Sequence, residues 1–223
     1  TAYTIGNPEG EGLSVTQGIV SIADDYISLN IDGTARQYRS IRIDTPLYSG
    51  NSGGGLFNTD GELIGIANAG NSTEENINYA IPLPIVTGTA DNIIYYYEDG
   101  DDATNGVYKI DFADDSSLVA QNSKYVYDKE TGTGEIVEDV VLSAPTGMAD
   151  DMGLDTGDTI RSFIIGRDGE TVEYEVSRTF NISDILFVLR PGDTLSVKYD
   201  RDGRTDLTTS AVLLSSSDFI SVA

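Results

Sequence analysis

The chain has 223 residues, of which 39% are hydrophobic and 22% charged, a composition that supports one or two globular domains with real cores. Its 13 basic and 37 acidic residues leave a net charge of −24, which excludes binding by phosphate neutralisation and electrostatic attachment to anionic lipid. Cysteine and histidine are both absent, so disulfides, thiol nucleophiles, cysteine metal sites and an imidazole base are excluded too.

No signal peptide is recognisable and no apolar run is long enough to cross a bilayer. The chain begins at Thr1 rather than Met, as a mature or trimmed piece would. Residues 2–5 read as a short strand ending in the turn Gly6-Asn7-Pro8. Residues 13–22, alternating and rich in Val and Ile, read as a second strand. Residues 26–31 with Asp32-Gly33 read as a strand and tight turn, and residues 37–43 as the returning strand. Residues 55–57, 62–69 and 77–81 complete six or seven short strands, the spacing of an antiparallel β-barrel.

Between these strands lies Asp44-Thr45-Pro46-Leu47-Tyr48-Ser49-Gly50-Asn51-Ser52-Gly53-Gly54. One hydroxyl, Ser52, is set among glycines that free the backbone to double back and aim N–H groups into a small space. Acyl transfer needs such donors, and the stretch Gly50-Asn51-Ser52 supplies them, the N–H groups of Gly50 and Ser52 above all. The run Leu56-Phe57-Asn58-Thr59-Asp60-Gly61-Glu62-Leu63-Ile64-Gly65-Ile66 then reads as strand, Asp-Gly turn and strand, so the serine immediately precedes a hairpin.

These residues resemble the nucleophile segment of the HtrA/Deg family of trypsin-like serine endopeptidases. Ile5-Gly6-Asn7-Pro8-Glu9-Gly10 and Ser14-Val15-Thr16-Gln17-Gly18-Ile19-Val20-Ser21 resemble the opening of that family's second barrel, and Tyr79-Ala80-Ile81-Pro82 its closing strand. The four segments occur in the family's order across roughly the first ninety residues. The resemblance implies that Ser52 is the nucleophile, that Ala67, Asn68 and Ala69 pair with substrate backbone, and that Pro46, Leu47 and Tyr48 border the pocket for the residue before the cut bond. None of these three is acidic, so small or apolar residues are expected there rather than Lys or Arg. Packing of Leu47 and Tyr48 into the barrel is the alternative.

A serine hydroxyl needs a base, and in the family this is a histidine oriented by an aspartate on a first barrel that precedes the segment at Ile5. Here the chain offers no substitute. No lysine occurs before Lys109, Arg36, Arg39 and Arg42 stay protonated, and Asp44 is too weak a base.

Residues 83–97 change to a helical period, with Ile85, Val86, Ile93, Ile94 and Tyr97 apolar, and residues 98–106 read as an exposed linker. The acidic Glu98, Asp99, Asp101 and Asp102 lack the alternating ligands of a calcium loop, so no metal and no cofactor is expected. Beyond the linker, residues 107–112, 124–127 and 135–142 read as strands and residues 144–152 as a short helix. Residues 183–189 read as a helix capped by Ser183, residues 194–199 as a strand, and a last strand ends near Leu214.

This order, with Gly153-Leu154, Gly157-Asp158-Thr159-Ile160, Pro191-Gly192-Asp193 and Arg201-Asp202-Gly203, resembles the PDZ domain appended to HtrA proteases. Such domains bind peptide C-termini beside a helix, with a glycine-rich loop holding the carboxylate. Val107, Tyr108, Lys109 and Ile110 stand at the loop position without its glycine, residues 116–122 look like an insertion, and Ile185, Leu186 and Leu189 are the candidates to line the groove, with pure core packing as the alternative.

The expected fold is therefore mainly β, an antiparallel β-barrel forming half of a trypsin-like double barrel, followed by an α+β PDZ-like domain. The expected boundaries are 1–99 for the barrel and exit helix, 100–106 for the linker, 107–215 for the PDZ-like domain and 216–223 for a tail. The resemblance implies an endopeptidase acting on unfolded proteins or peptides in the cell envelope or exterior. It also implies a first barrel as partner, assembly as a homo-oligomer such as a trimer, and no nucleic acid. The alternative is a non-catalytic peptide-binding or scaffolding protein.

Overall fold

The computed structural model describes residues 1–31, 34–70, 76–98, 108–130 and 134–221. It divides into two compact units, Thr1–Ala90 and Asp91–Ala223.

In the first unit the described strands are β1 (Ala2–Gly6), β2 (Ser14–Gly18), β3 (Val20–Ile31), β4 (Thr34–Ile43), β5 (Gly55–Phe57), β6 (Leu63–Gly70) and β7 (Asn78–Pro82). They form one sheet in the order β2-β1-β5-β6-β7-β4-β3, with every pairing antiparallel. The two end strands, β2 and β3, are separated in sequence by one residue, so the sheet must curl round to bring its ends together. A single strand was expected over 13–22, and Asp44 is the reason there are two. Its carboxylate accepts the Ile19 N–H at 2.6 Å, and its own N–H donates to the Ile19 carbonyl at 3.2 Å. A side chain at Gly18 would run into that carboxylate and the Thr45 backbone, so only glycine fits the corner.

Residues 23–25, expected as a gap, lie inside β3, whose bulges fall between Val20 and Ile22 and between Ile22 and Asp25. There Asp24 pairs with Arg39 at 3.2 Å and Asp25 with Arg42 at 2.6 Å. Ala2, Ile41, Ile43, Leu56 and Ala80 form the core, with Val20, Leu47 and Ile64 packed on it.

Helix α1 (Leu83–Glu98) follows β7 directly and tolerates Pro84 in its first turn, where no N–H partner is needed. The division between the units falls within it. The expected linker at 100–106 lies outside the described residues. Among the described residues, no helix is long and apolar enough to cross a membrane.

The second unit contains β8 (Tyr108–Ile110), β9 (Leu118–Tyr127), β10 (Gly134–Leu142), α2 (Gly147–Asp151), β11 (Thr159–Arg167), β12 (Glu170–Glu175), α3 (Thr179–Leu186), β13 (Thr194–Arg201), β14 (Arg204–Thr208), β15 (Val212–Leu213) and β16 (Phe219–Ser221). A sheet in the order β14-β13-β11-β10-β9 carries β12 on β11 and β15 on β13. Its core includes Phe112 and Phe163, whose rings meet edge to face at 4.9 Å. Of residues 116–122, where an insertion was expected, Ser116 and Ser117 lie in the short 3-10 turn Asp115–Ser117 and residues 118–122 are the start of β9. Residues 219–221, expected as tail, pair with β8, and Phe219 joins the core.

Helix α3 starts four residues earlier than expected. The Asn181 side chain accepts the N–H groups of Ser177 at 3.1 Å and Arg178 at 2.8 Å, which places the cap at Arg178 and leaves Ser183 inside the helix. Two contacts tie the C-terminal half of α1 into this unit. Asn92 donates to the Tyr108 carbonyl at 2.7 Å and accepts the Tyr108 N–H at 3.0 Å, and the Arg190 guanidinium lies over the Tyr95 ring at 5.2 Å.

Asp158 is fully buried and gripped by Arg201 through two bonds of 2.6 Å, while its carboxylate also accepts the Asp155 N–H. Removing the cation strands a buried charge, so Arg201→Met should destabilise the second unit by about 3–5 kcal/mol in urea denaturation. Burial, opposed by the nearby Arg190 charge, pushes the Tyr96 hydroxyl from 10.0 up to about 12. Between these two values the unfolded chain loses that proton while the folded chain keeps it, so stability should fall as pH rises through the interval, and Tyr96→Phe should flatten the decline.

Candidate active site

The segment from Asp44 to Gly54 crosses from β4 to β5, anchored at its start by the Asp44 bonds to Ile19 and by Thr16, whose hydroxyl donates to the Pro46 carbonyl at 3.0 Å. Beyond that anchor the segment is held by the turn after β1. The Glu9 N–H donates to the Ser49 carbonyl at 2.8 Å and the Asn7 N–H to the Gly50 carbonyl at 3.4 Å. These bonds orient more than carbonyls. A trans peptide unit points its N–H opposite to its C=O, so holding the Ser49 carbonyl on Glu9 turns the Gly50 N–H away from that turn.

The same argument applies one step later. The Asn51 carbonyl accepts the Gly54 N–H at 2.9 Å, which turns the Ser52 N–H away from Gly54. Neither the Gly50 nor the Ser52 amide donates to a backbone carbonyl among the described residues. The Asn51 amide differs, since it donates to the Tyr48 carbonyl at 2.9 Å. Of the three residues expected to offer oxyanion donors, Asn51 is thus removed because its N–H is already bonded.

Ser52 is exposed, and its hydroxyl donates to the Asn68 carbonyl at 2.9 Å. Asn68 is the extra residue of a bulge in β6, opposite the step from Ala80 to Tyr79 in β7. Bulges re-aim main-chain groups, and the hydroxyl bonds the carbonyl at this one. Ala67 is committed to the loop instead, its carbonyl accepting the Gly53 N–H at 2.7 Å and its N–H donating to the Gly54 carbonyl at 2.8 Å. With both groups occupied it has none left for substrate backbone, so the expected pairing stretch narrows to Asn68 and Ala69.

Pro46 and Leu47 are half-buried and Leu47 packs on the core, whereas Tyr48 is 61% exposed. The two readings of this pair therefore divide, with Leu47 structural and Tyr48 free to meet a ligand. Asn51 and Thr45 are buried, and neither the Asn51 amide atoms nor the Thr45 hydroxyl has a hydrogen-bond partner among the described residues. Each such group costs about 1–3 kcal/mol, and the two residues lie within the same segment as the serine.

In the second unit, Val107 lies outside the described residues. Tyr108 has both main-chain groups taken by Asn92, and Ile110 is buried. Lys109 is half-buried in β8, paired with Ile220. Ile185, Leu186 and Leu189 are in the core at 5%, 5% and 0% exposure, which fits the packing alternative and not an open groove. Apolar spacing marked them equally well for either role. Sequence reasoning missed Asn92 and the Asn68 bulge. Neither has a motif, because both act through main-chain geometry.

The trypsin-like peptidase domain profile matches residues 1–66. The serine protease Do-like HtrA of Bacillus subtilis (strain 168) is 30% identical over 209 residues, 92% of this chain and 44% of that protein. The serine endoprotease DegS of Escherichia coli (strain K12) is 42% identical over 97 residues, 40% of this chain and 26% of its own. A solved HtrA-type protease AlgW with tripeptide is 25% identical at a TM-score of 0.45, covering 96% of this chain and 64% of that one. The chain thus spans about half or less of the curated relatives named here.

Gly50 has φ +98°, and an added Cβ would collide with the Asn7 carbonyl and come within 3.0 Å of the Glu9 nitrogen. Gly50→Ala should therefore cost the first unit on the order of 1–3 kcal/mol, read as a lower unfolding midpoint, while Gly53→Ala, with open space at its Cβ, should cost less.

Proposed function

The chain belongs to the HtrA family of serine proteases, and from that premise we propose that it carries the nucleophile half of an endopeptidase that cleaves unfolded or misfolded proteins. Ser52 attacks the peptide carbonyl, and the N–H groups of Gly50 and Ser52 bind the oxyanion. The observation that carries this reading is an exposed serine hydroxyl beside two amides that, among the described residues, donate to no backbone carbonyl, each oriented by a bond to the carbonyl of its own peptide unit.

A carbonyl oxygen is too weak a base to deprotonate an alcohol, so the bond to Asn68 cannot activate Ser52. Because the 223 residues contain no histidine, the base and its orienting acid come from residues outside them. Asn68 and Ala69 pair with substrate backbone, Tyr48 borders the entrance, and the second unit is a PDZ-like domain. The setting is the cell envelope or exterior.

The full-length protein should be labelled at Ser52 by a fluorophosphonate and should lose casein cleavage on Ser52→Ala. The 223-residue chain alone should do neither. Turnover by the chain alone would overturn the argument from the missing base, and a full-length sequence without His and Asp upstream would leave a non-catalytic peptide-binding protein.

A further inference from the structure

In the second unit, β8 and β16 form a two-stranded sheet of their own, three residues to a strand, apart from the larger sheet. A pairing of that length is not stable in water by itself, so other contacts must hold β16 in place. One edge of β8 is closed by α1. Asn92 accepts the Tyr108 N–H and donates to the Tyr108 carbonyl, so the next residue, Lys109, turns its own N–H and carbonyl to the opposite edge. There Ile220 stands as its partner, with Phe219 opposite Ile110 and Ser221 opposite Tyr108. Side chains alternate along β16. Phe219 is 9% exposed and shares the core with the fully buried Ile110, whereas Ile220 is 46% exposed. The segment is thus attached by one ladder pair and one apolar anchor, the means by which an added peptide strand is recognised.

We propose that residues 215–221 are a built-in occupant of a strand-addition site on β8, and that an extended peptide with a large apolar residue, phenylalanine above all, at the Phe219 position replaces them. The piece that leaves is bounded in the structure. Leu214 is fixed separately, its carbonyl accepting the Gly192 N–H and its N–H donating to the Asp193 carbonyl, both at 2.8 Å. Beyond it the turn is closed within itself, since the Ser215 N–H and hydroxyl donate to the Asp218 carboxylate at 2.6 and 2.7 Å. Covalent attachment adds only concentration. A tethered segment is present at about millimolar effective concentration, which weakens the binding of an outside peptide without altering the site. Selectivity follows from the register. The residue matching Phe219 fills the core position, the next must carry an N–H for the Lys109 carbonyl, and its side chain, facing solvent, is unrestricted. The site needs no part of Ser52.

The test uses the full-length protein and a fluorescent synthetic peptide copying residues 216–221. Phe219→Ala in the protein should tighten binding of this peptide by about tenfold or more over wild type, because the built-in segment then lacks its anchor. Ile220→Pro, which keeps the anchor and removes only the ladder donor, should give a smaller gain. Phe219→Ala should also lower the unfolding midpoint. Added peptide should raise that midpoint again in the variant and leave wild type unmoved, since a ligand of the folded state stabilises by mass action. This recovery can be read even where the variant is largely unfolded. A Phe219→Ala protein that neither binds the peptide more tightly nor regains its midpoint would overturn the proposal. So would a peptide carrying Phe219→Ala that binds as well as its parent.

Discussion

Two carbonyls decide what Ser52 has around it. The Ser49 oxygen is held by Glu9 and the Asn51 oxygen by Gly54, and because each peptide unit is planar and trans, each bond fixes the direction of an N–H it does not touch. Rotating either unit by a half-turn would replace a donor with an oxygen and put repulsion where the proposed oxyanion would form. One hydrogen bond has a net worth of about 1 kcal/mol, whereas one correctly placed donor is worth roughly 3–4 kcal/mol to a transition state. A modest bond in the turn after β1 thereby governs a larger effect at the serine. This gives the Gly6-Asn7-Pro8-Glu9 turn a physical role that its sequence does not announce.

The first unit was readable in outline because its strands alternate and its turns carry glycine. Its corner at Gly18 was not, since the cause is a carboxylate 26 residues further along, at Asp44. The continuation of β3 through Asp24 and Asp25 was hidden for a related reason. Two adjacent acids read as a break, but each finds an arginine on β4. Ser52 stood out by its glycines. The part that shapes its surroundings, the bulge at Asn68, looks like an ordinary polar residue until the register of β6 and β7 is known.

In the second unit the helical period put residues 185 and 186 in α3, while Leu189 lies beyond its end at Leu186, and periodicity cannot say whether such apolar residues meet a core or a ligand. The core claimed them. Likewise, Ser183 had the chemistry of a cap, yet the Asn181 side chain in the first turn accepts two N–H groups at once and sets the cap earlier, at Arg178. Residues 219–221 carried only the short apolar pair Phe219 and Ile220, too little to mark a strand, yet the segment pairs with β8 and Phe219 joins the core.

The hydrogen bond from Ser52 to Asn68 invites the view that the serine is locked. The magnitudes argue otherwise. Exchanging one neutral hydrogen bond for another costs little, since a typical one is worth about 0.5–1.5 kcal/mol net, and a loss of that size slows a reaction by no more than roughly tenfold. General-base assistance contributes roughly a hundredfold to ten-thousandfold. An imidazole brought within reach of Oγ would therefore outweigh the Asn68 carbonyl, and the bond would serve to hold the hydroxyl in place until a base arrives. The carbonyl so released would be free for a substrate N–H, and one main-chain group would then alternate between the resting serine and the bound peptide.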